Sequence, residues 1–205
     1  MEPLATTDDL EAVLGRTLTD TEAARVEALL VQASAVVRRR STQDFTQAET
    51  IIRLHIRDGF AVLPQRPVND VSTVQTIDGN DVWYQWDGLD RIIVDPSRAI
   101  NDFELNTLAY PPPTIDVTYD HGYAPTDDDP PASTIPADVV ALVCQVVLRT
   151  LGQDPTAAGM QQESIAGYSY SVGSAAAAGV VGLLPAEAEF LDTFRRRGAT
   201  GRIGP

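Results

Sequence analysis

The side chains that most often carry out chemistry are few in this sequence and lie far apart. The histidines are His55 and His121, and the cysteine is Cys144. Two separated histidines are too few for a His-rich metal site, so each is expected to be a strand or turn residue. Cys144 lies in an apolar stretch, which predicts a small buried side chain and not a reactive thiol. A single cysteine also excludes an internal disulfide and a Cys-rich zinc site.

Acidic residues are abundant, which weakens any single assignment. Asp127, Asp128 and Asp129 are consecutive, whereas an EF-hand loop alternates its ligands around a glycine and ends on a glutamate. We interpret them as part of a solvated linker. The chain has 29 acidic residues, so candidate carboxylate pairs occur by chance, and an acidic hydrolase with its pair in the β region stays an alternative. The sequence lacks the Walker, GxGxxG, GxSxG and HExxH motifs. We therefore predict no catalytic residue, cofactor or metal.

Two groups of aromatic residues can mediate contacts. Trp83, Tyr84 and Trp86 can stack on bases or sugars, but cations near them are scarce, which favours a packing face of a hairpin. Tyr168 and Tyr170 alternate with serines, so an extended segment would place both rings on one side. Two interpretations stay open for that segment. It folds onto its own domain, or it adds along a neighbouring subunit with tyrosines as anchors.

The overall charge limits the class of partner. The formal net charge is −14, which disfavours gripping nucleic acid or docking on an anionic membrane, because both depend on lysine and arginine. The N-terminal residues MEPLATTDDLE contain no apolar core of a secretory signal, and no apolar stretch has the length of a membrane span. These features predict a soluble protein that is made in a cytoplasm.

The segment 134–152 is the apolar centre of the sequence. Pro136 and Asp138 suit the first turn of a helix, and Gly152 suits its end. At 3.6 residues per turn its valines and leucines cover more than one stripe. We therefore expect a central helix that is covered on several sides, in part by other subunits.

Helices are also predicted on both sides of this segment. A short capped helix runs from Thr7 to Gly15, and a second helix opens with the capping box of Thr19 and Glu22. The second helix closes with Arg38, Arg39 and Arg40, which we interpret as a solvated helix end, with contact to an acidic neighbour as the alternative. A last helix begins at Pro185, has Phe190, Leu191 and Phe194 on one face and ends in Arg195, Arg196 and Arg197.

Between residues 50 and 123 the hydrophobic period changes from helical to alternating. Ile52, Leu54 and Ile56 alternate with polar residues, and Ile115, Val117 and Tyr119 alternate again. The turn Asp78–Asn80 predicts a return strand at 82–86, and the turn Asp87–Gly88 predicts a next strand at 91–94. The prediction is an α+β fold with a small helical core of about four helices, an inserted antiparallel β unit and an extended C-terminal arm. Its regions are a core at 1–48 and 124–198, a β unit at 49–123, a flexible interaction loop at 153–183 and a flexible tail at 199–205. Within the loop, residues 163–172 can form a strand.

Six segments together resemble the head-to-tail adaptor (connector) family of long-tailed bacteriophages, in order and over nearly the whole chain. They are TDTEAARVEALLVQASAVVR, LPQRPVNDVSTV, VTYDHGY, IPADVVALVCQVVLRTL, ESIAGYSYSV and LLPAEAEFLDTFRRR. The resemblance implies a structural protein of the virion neck without enzymatic activity. It implies a ring, commonly of twelve copies, that docks under the portal and continues the DNA channel. The family's helical core would map onto Thr7–Arg40, Pro136–Leu151 and Pro185–Arg197.

The implied partners are the portal protein, neighbouring copies of the chain and the next neck or tail protein, while DNA passes without specific binding. We expect the contacts with portal and subunits to involve Ile165, Tyr168, Tyr170, Val172, Phe190, Phe194, Arg195, Arg196, Arg197 and Arg202. A stopper or terminator protein of the neck is the structural alternative. Its expected β character is at odds with the helices at both ends of this chain.

Overall fold

We describe a computed structural model of the chain. The structure describes residues 2–94, 113–124, 135–152, 162–165, 168–171 and 181–195, with 162–165 and 168–171 treated by their backbone alone. The fold is α+β, as predicted. The chain divides into a helical unit, Met1–Thr42 with Ile135–Pro205, and a β unit, Gln43–Thr134. The sequence-based boundaries of the β unit were residues 49 and 123.

The described elements are four helices and eight strands. The helices are α1 (Thr7–Leu14), α2 (Asp20–Ser41), α3 (Ala137–Leu151) and α4 (Pro185–Asp192). The strands are β1 (Ala48–His55), β2 (Phe60–Val62), β3 (Val68–Thr76), β4 (Tyr84–Trp86), β5 (Arg91–Val94), β6 (Thr114–His121), β7 (Gln162–Ile165) and β8 (Tyr168–Ser171).

The first two helices begin at capping residues. At α1 the carboxylate of Asp9 accepts from the Thr6 N–H at 2.8 Å, and the Thr6 hydroxyl accepts from the Asp9 N–H at 3.2 Å. At α2 the Glu22 carboxylate accepts from the Thr19 N–H at 3.0 Å, as the predicted capping box requires. The Glu22 N–H instead donates to the Thr19 carbonyl at 2.9 Å. Both helices thus start where the short polar residues predict.

Helix α3 is covered mainly by its own chain. Its buried residues are Val139, Leu142, Val143, Cys144, Val146, Val147 and Thr150. It packs against α1 and α2, and its exposed positions are Ala137, Asp138, Ala141 and Gln145, which are small or polar. The cover that we expected from other subunits is therefore supplied largely within the helical unit. Besides these alanines, the half-buried Val140, Leu148 and Leu151 leave apolar surface on this helix.

The arginine run at the end of α2 is not simply a solvated helix end. Arg38 is buried and donates from Nη1 to the Glu2 carbonyl at 2.8 Å. Arg40 is half-buried and pairs with Asp192. Only Arg39 is exposed, as the solvated interpretation requires. That interpretation is wrong for the other two arginines, because both hold distant parts of the chain against α2.

The β unit contains two three-stranded antiparallel sheets, ordered β1-β6-β3 and β2-β5-β4. Strand β6 is central, and its residues Ile115, Val117, Tyr119 and His121 point into the core while the alternate residues are half-buried. The core side chains are Ile56, Ala61, Leu63, Val71, Val74, Val82, Ile92, Val94, Ile115, Val117 and Tyr119. The predicted alternation of β1 and β6 is confirmed.

The predicted return strand after the Asp78–Asn80 turn pairs with β3 only at its start, and beyond that it pairs with the predicted strand at 91–94. The Val82 N–H donates to the Val74 carbonyl at 2.9 Å, but β4 then pairs with β5 in the second sheet. Tyr84 donates its hydroxyl to the Val71 carbonyl at 2.7 Å and packs against the core together with Trp86. These aromatic residues form a packing face, as predicted, although they pack between two sheets and not within one hairpin.

The end of β6 requires a glycine. Gly122 has φ of +92°, and a Cβ there would lie 2.2 Å from the carbonyl oxygen of Thr46. The Gly122 N–H also donates to the Pro67 carbonyl at 2.9 Å. The backbone of the β unit therefore passes too closely at this point for any side chain.

Candidate interaction surface

Helix α4 is docked on the helical unit by one buried leucine and by two arginines. Leu191 is fully buried. Arg149, near the end of α3, binds both carboxylate oxygens of Glu187 at 2.7 and 3.0 Å and the Gly182 carbonyl at 2.8 Å. A bidentate arginine–carboxylate pair fixes orientation as well as distance. Arg149 therefore sets the position of the first turn of α4 on α3.

The far end of α4 is held from α2. Arg40 pairs with Asp192 and donates from Nε to the Ala188 carbonyl at 3.4 Å. Residues 181–195 are thus folded against their own chain, in the region predicted as helical core. Sequence reasoning missed Arg40 and Arg149 as anchors because their partners lie far along the chain. The available signal was the acids of α4, because Glu187 and Asp192 are two of three acidic residues in an eight-residue helix, the third being Glu189.

The predicted contact residues of α4 lie beside this anchor. Phe190 and Phe194 are half-buried and meet edge to face, with ring centroids 5.5 Å apart. The helix ends at Asp192 and not at Arg197 as predicted, because the Thr193 N–H and hydroxyl both turn back to the Phe190 carbonyl, at 3.1 and 2.7 Å. Arg195 lies beyond this turn, exposed, with Nη1 3.5 Å from the Asp192 carboxylate.

The predicted strand at 163–172 is instead a hairpin of two strands. In its register Glu163 lies opposite Tyr170 and Ile165 lies opposite Tyr168. No third strand joins this ladder in the part of the chain that the structure describes. Val172, Arg196, Arg197 and Arg202 lie outside the described residues. Of the predicted contact residues, the structure brings Phe190, Phe194 and Arg195 together and places the tyrosines in the hairpin.

The charged pairs of this chain suit structure better than acid–base chemistry. Hydrogen bonds from Arg16 and Thr19 lower the pKa of Glu22 to about 2. A bidentate hydrogen bond from Arg53, at 2.7 and 2.8 Å, lowers the pKa of Asp116. A general acid requires the opposite shift. Asp116 is therefore not suited to the proton-donor role that the hydrolase alternative assigns to an acid of the β unit.

The two histidines differ in exposure, and the cysteine is buried. His55 is exposed, whereas His121 is 2% exposed, with Nε2 2.9 Å from the Thr50 hydroxyl and no partner for Nδ1. Burial lowers the pKa of His121, against the opposing influence of Asp44 and Asp120. Burial likewise raises the pKa of the Cys144 thiol to about 11. Both buried groups are thus held in their neutral forms, away from solvent.

Within the described ranges, no three His, Cys, Asp or Glu side chains come together as a potential metal site. None of the four described helices has the length and hydropathy needed to cross a membrane.

Comparison with protein-family models and with curated proteins finds no match to this chain. The candidate surface is therefore defined by the described residues of this chain. Its features are an anchored helix with a half-buried aromatic pair, an exposed arginine after that helix, and a hairpin that no third described strand joins.

Proposed function

We propose that this protein is a head-to-tail adaptor of a long-tailed bacteriophage. In this proposal copies of the chain form a ring beneath the portal, continue the DNA channel and carry the next neck or tail protein. The resemblance that suggests this function involves segments from both units: α2, α3, α4 and the β7–β8 hairpin of the helical unit, and β3 and β6 of the β unit.

The fixed position of α4 is the observation that carries the proposal. Because Arg40 and Arg149 hold α4 from two other helices, the chain has a defined position on the helical unit up to Arg195. A segment that starts from a fixed anchor loses less conformational entropy on binding than one on a free linker. Residues 196–205 contain Arg196, Arg197 and Arg202 and no acidic residue. They suit capture by an acidic surface of the portal.

The charge of the chain supports the role in the DNA channel. A net charge of −14 per copy, repeated around a ring, repels the phosphate backbone of DNA. DNA can then slide past without the counterion release that drives binding to cationic proteins. The basic C-terminal residues are the local exception, and the proposal assigns them to the portal.

The test is deletion of residues 196–205. We expect the shortened protein to keep its thermal midpoint and to lose co-sedimentation with portal rings of the same phage. Deletion from residue 185 is less informative, because it also removes Leu191 and both ion pairs of α4. Attachment of the shortened protein at the wild-type level would refute the proposed role of this segment. Binding to a tail component but not to the portal would favour the stopper or terminator alternative.

A matched pair of triple variants separates a specific contact from the general effect of charge. One variant replaces Arg196, Arg197 and Arg202 by alanine, and the other replaces the exposed Arg25, Arg39 and Arg91. Both remove three positive charges. We expect only the first to lose portal binding. Equal losses would show that net charge, and not the C-terminal segment, governs attachment.

A further inference from the structure

The outer edge of β1 presents a row of backbone groups without partners. The Ile56 N–H donates to the Pro113 carbonyl at 2.8 Å, which marks the pair as hydrogen-bonded in the β1–β6 ladder. Hydrogen-bonded positions alternate along an antiparallel pair. The alternate residues, whose N–H and C=O groups point away from β6, are Glu49, Ile51, Arg53 and His55. No described residue hydrogen-bonds these outward backbone groups.

This edge is closed at only one end. Arg57 and Phe60 exchange two backbone hydrogen bonds of 2.9 Å, after which β2 leaves to pair with β5. The remaining edge is eight residues long and contains no proline. Ile51, at its middle, is 73% exposed. Long edges of this kind are the usual sites of strand addition, because addition satisfies the free groups and covers the apolar side chain.

The β7–β8 hairpin is a two-stranded sheet that a third strand would stabilise. Two isolated strands are marginally stable in water, and a third strand stabilises them. Strand β8 has the sequence Tyr-Ser-Tyr-Ser, with high β propensity and no charge, whereas β7 contains Glu163. Beside the edge, β8 avoids the like-charge contact that β7 would make with Glu49. It also offers an aromatic residue as cross-strand partner of Ile51, a favourable pair.

We propose that β8 of one copy adds to the free edge of β1 in the next copy, so that strand addition joins neighbouring subunits. The proposal rests on the adaptor function, because a ring places identical copies side by side. It assigns the hairpin to a second copy of this chain.

A proline at residue 51 tests the backbone contact directly. The Ile51 N–H points away from β6, so Ile51→Pro removes an outward donor and none of the β1–β6 hydrogen bonds. In sedimentation equilibrium of the full chain we expect wild type to self-associate. We expect Ile51→Pro to raise the dissociation constant by at least about tenfold, with a thermal midpoint near that of wild type. Ile51→Thr keeps the donor and the β-branched shape and should change the constant less.

Cross-linking identifies the partner strand and does not depend on the proline variant. In a Cys144→Ala background, protein with Ile51→Cys is mixed with protein carrying Tyr168→Cys or Tyr170→Cys and oxidised mildly. A mixed disulfide can form only between copies, and we expect one tyrosine position to give it in high yield. The control replaces Ile51→Cys by Ile77→Cys, at a residue that is 56% exposed and follows β3, the other edge strand of the sheet.

The results that overturn the proposal are specific. They are a wild-type protein that stays monomeric, association of Ile51→Pro equal to wild type, or mixed disulfides no more frequent than with Ile77→Cys. Homodimers of Ile51→Cys that exceed the mixed species would show that β1 pairs with β1 instead. These measurements contain no portal. Self-association through β8 without portal binding refutes only the adaptor function, and portal binding by a monomer refutes only the strand addition.

Discussion

Leu191→Ala should release α4 from the helical unit without unfolding that unit. Leu191 is fully buried, and burial of a leucine contributes roughly 1.5–3 kcal/mol. The side chains of the two ion pairs are 11–37% exposed, so each pair adds about 0.2–1 kcal/mol. The gross docking free energy is therefore about 2–5 kcal/mol. A buried Leu→Ala change costs about 2–5 kcal/mol, which is comparable with the entire docking free energy of α4.

An undocked α4 cannot persist as a helix. It has eight residues, and isolated helices shorter than about 12 residues are marginal in water. Loss of docking should therefore appear as faster amide exchange confined to residues 181–195. A loss of about 2–3 kcal/mol corresponds to exchange roughly 30- to 140-fold faster. The amides of α2 and α3 should keep their protection, because their contact with each other does not pass through α4.

Hydrogen exchange with mass spectrometry is the assay, and Leu184→Ala is the control. Leu184 immediately precedes α4 and is 38% exposed, so its truncation should leave the exchange of α4 nearly unchanged. If Leu191→Ala leaves protection of residues 181–195 intact, or if both variants lose it equally, then Leu191 is not the anchor. Under the proposed function, Leu191→Ala should also weaken portal attachment although residues 196–205 are unchanged, because the attached segment would have lost its fixed origin.

Three further predictions concern buried groups. Because burial lowers the pKa of His121, its protonation favours the unfolded chain, and stability of the β unit should fall as pH drops below the ordinary histidine pKa of 6.5. Urea unfolding at about pH 5 and pH 7.5 measures this change in the free energy of unfolding. The change should be smaller in His121→Gln than in wild type and should be unaltered in His55→Gln. An equal change in wild type and His121→Gln would contradict the prediction. Gly122→Ala should destabilise the β unit by about 2–4 kcal/mol in denaturant unfolding. Gly79 also has a positive φ, but a Cβ there would have no atom within 4 Å, so Gly79→Ala should cost about 1 kcal/mol. Equal losses of unfolding free energy in the two variants would contradict the close approach of Gly122 to Thr46. Cys144 should react with a thiol reagent only on unfolding, and rapid labelling of the native protein would contradict its burial.

Local patterns predict this fold well where a single segment carries the information. The capping residues Thr19 and Glu22 mark the start of α2, and alternation of apolar residues identifies β1 and β6, because both signals depend on neighbours within a few positions. The partner of β4 depends instead on which surface buries Tyr84 and Trp86. That surface is built from distant strands, so the local turn signal at residues 78–80 does not show that β4 leaves β3 and joins a second sheet.

The candidate surface is less predictable for the same reason. An arginine in the last turn of a helix interacts favourably with the helix dipole whether or not it has another partner. The local sequence therefore does not distinguish the exposed Arg39 from Arg40, which holds α4. The end of α4 is similarly decided by Thr193, whose hydroxyl competes for the last carbonyl groups. Arg40 and Asp192 are 152 residues apart, so their pairing can be recognised only in the folded chain.

Strand addition between β8 and β1 also has a consequence for the number of copies. The two strands are different surfaces, one in each unit, so the contact is head to tail and each added copy leaves one β1 edge and one β8 unpaired. A head-to-tail contact closes in a ring, of which a reciprocal pair of copies is the smallest, or it continues as an open filament. A ring that surrounds a DNA channel requires the mass of the wild-type assembly to rise beyond a dimer and to reach a plateau, whereas a twofold β1–β1 pair would stop at a dimer. Capping with excess Ile51→Pro, which keeps β8 but blocks its own edge, should shorten the assemblies in proportion to the amount added.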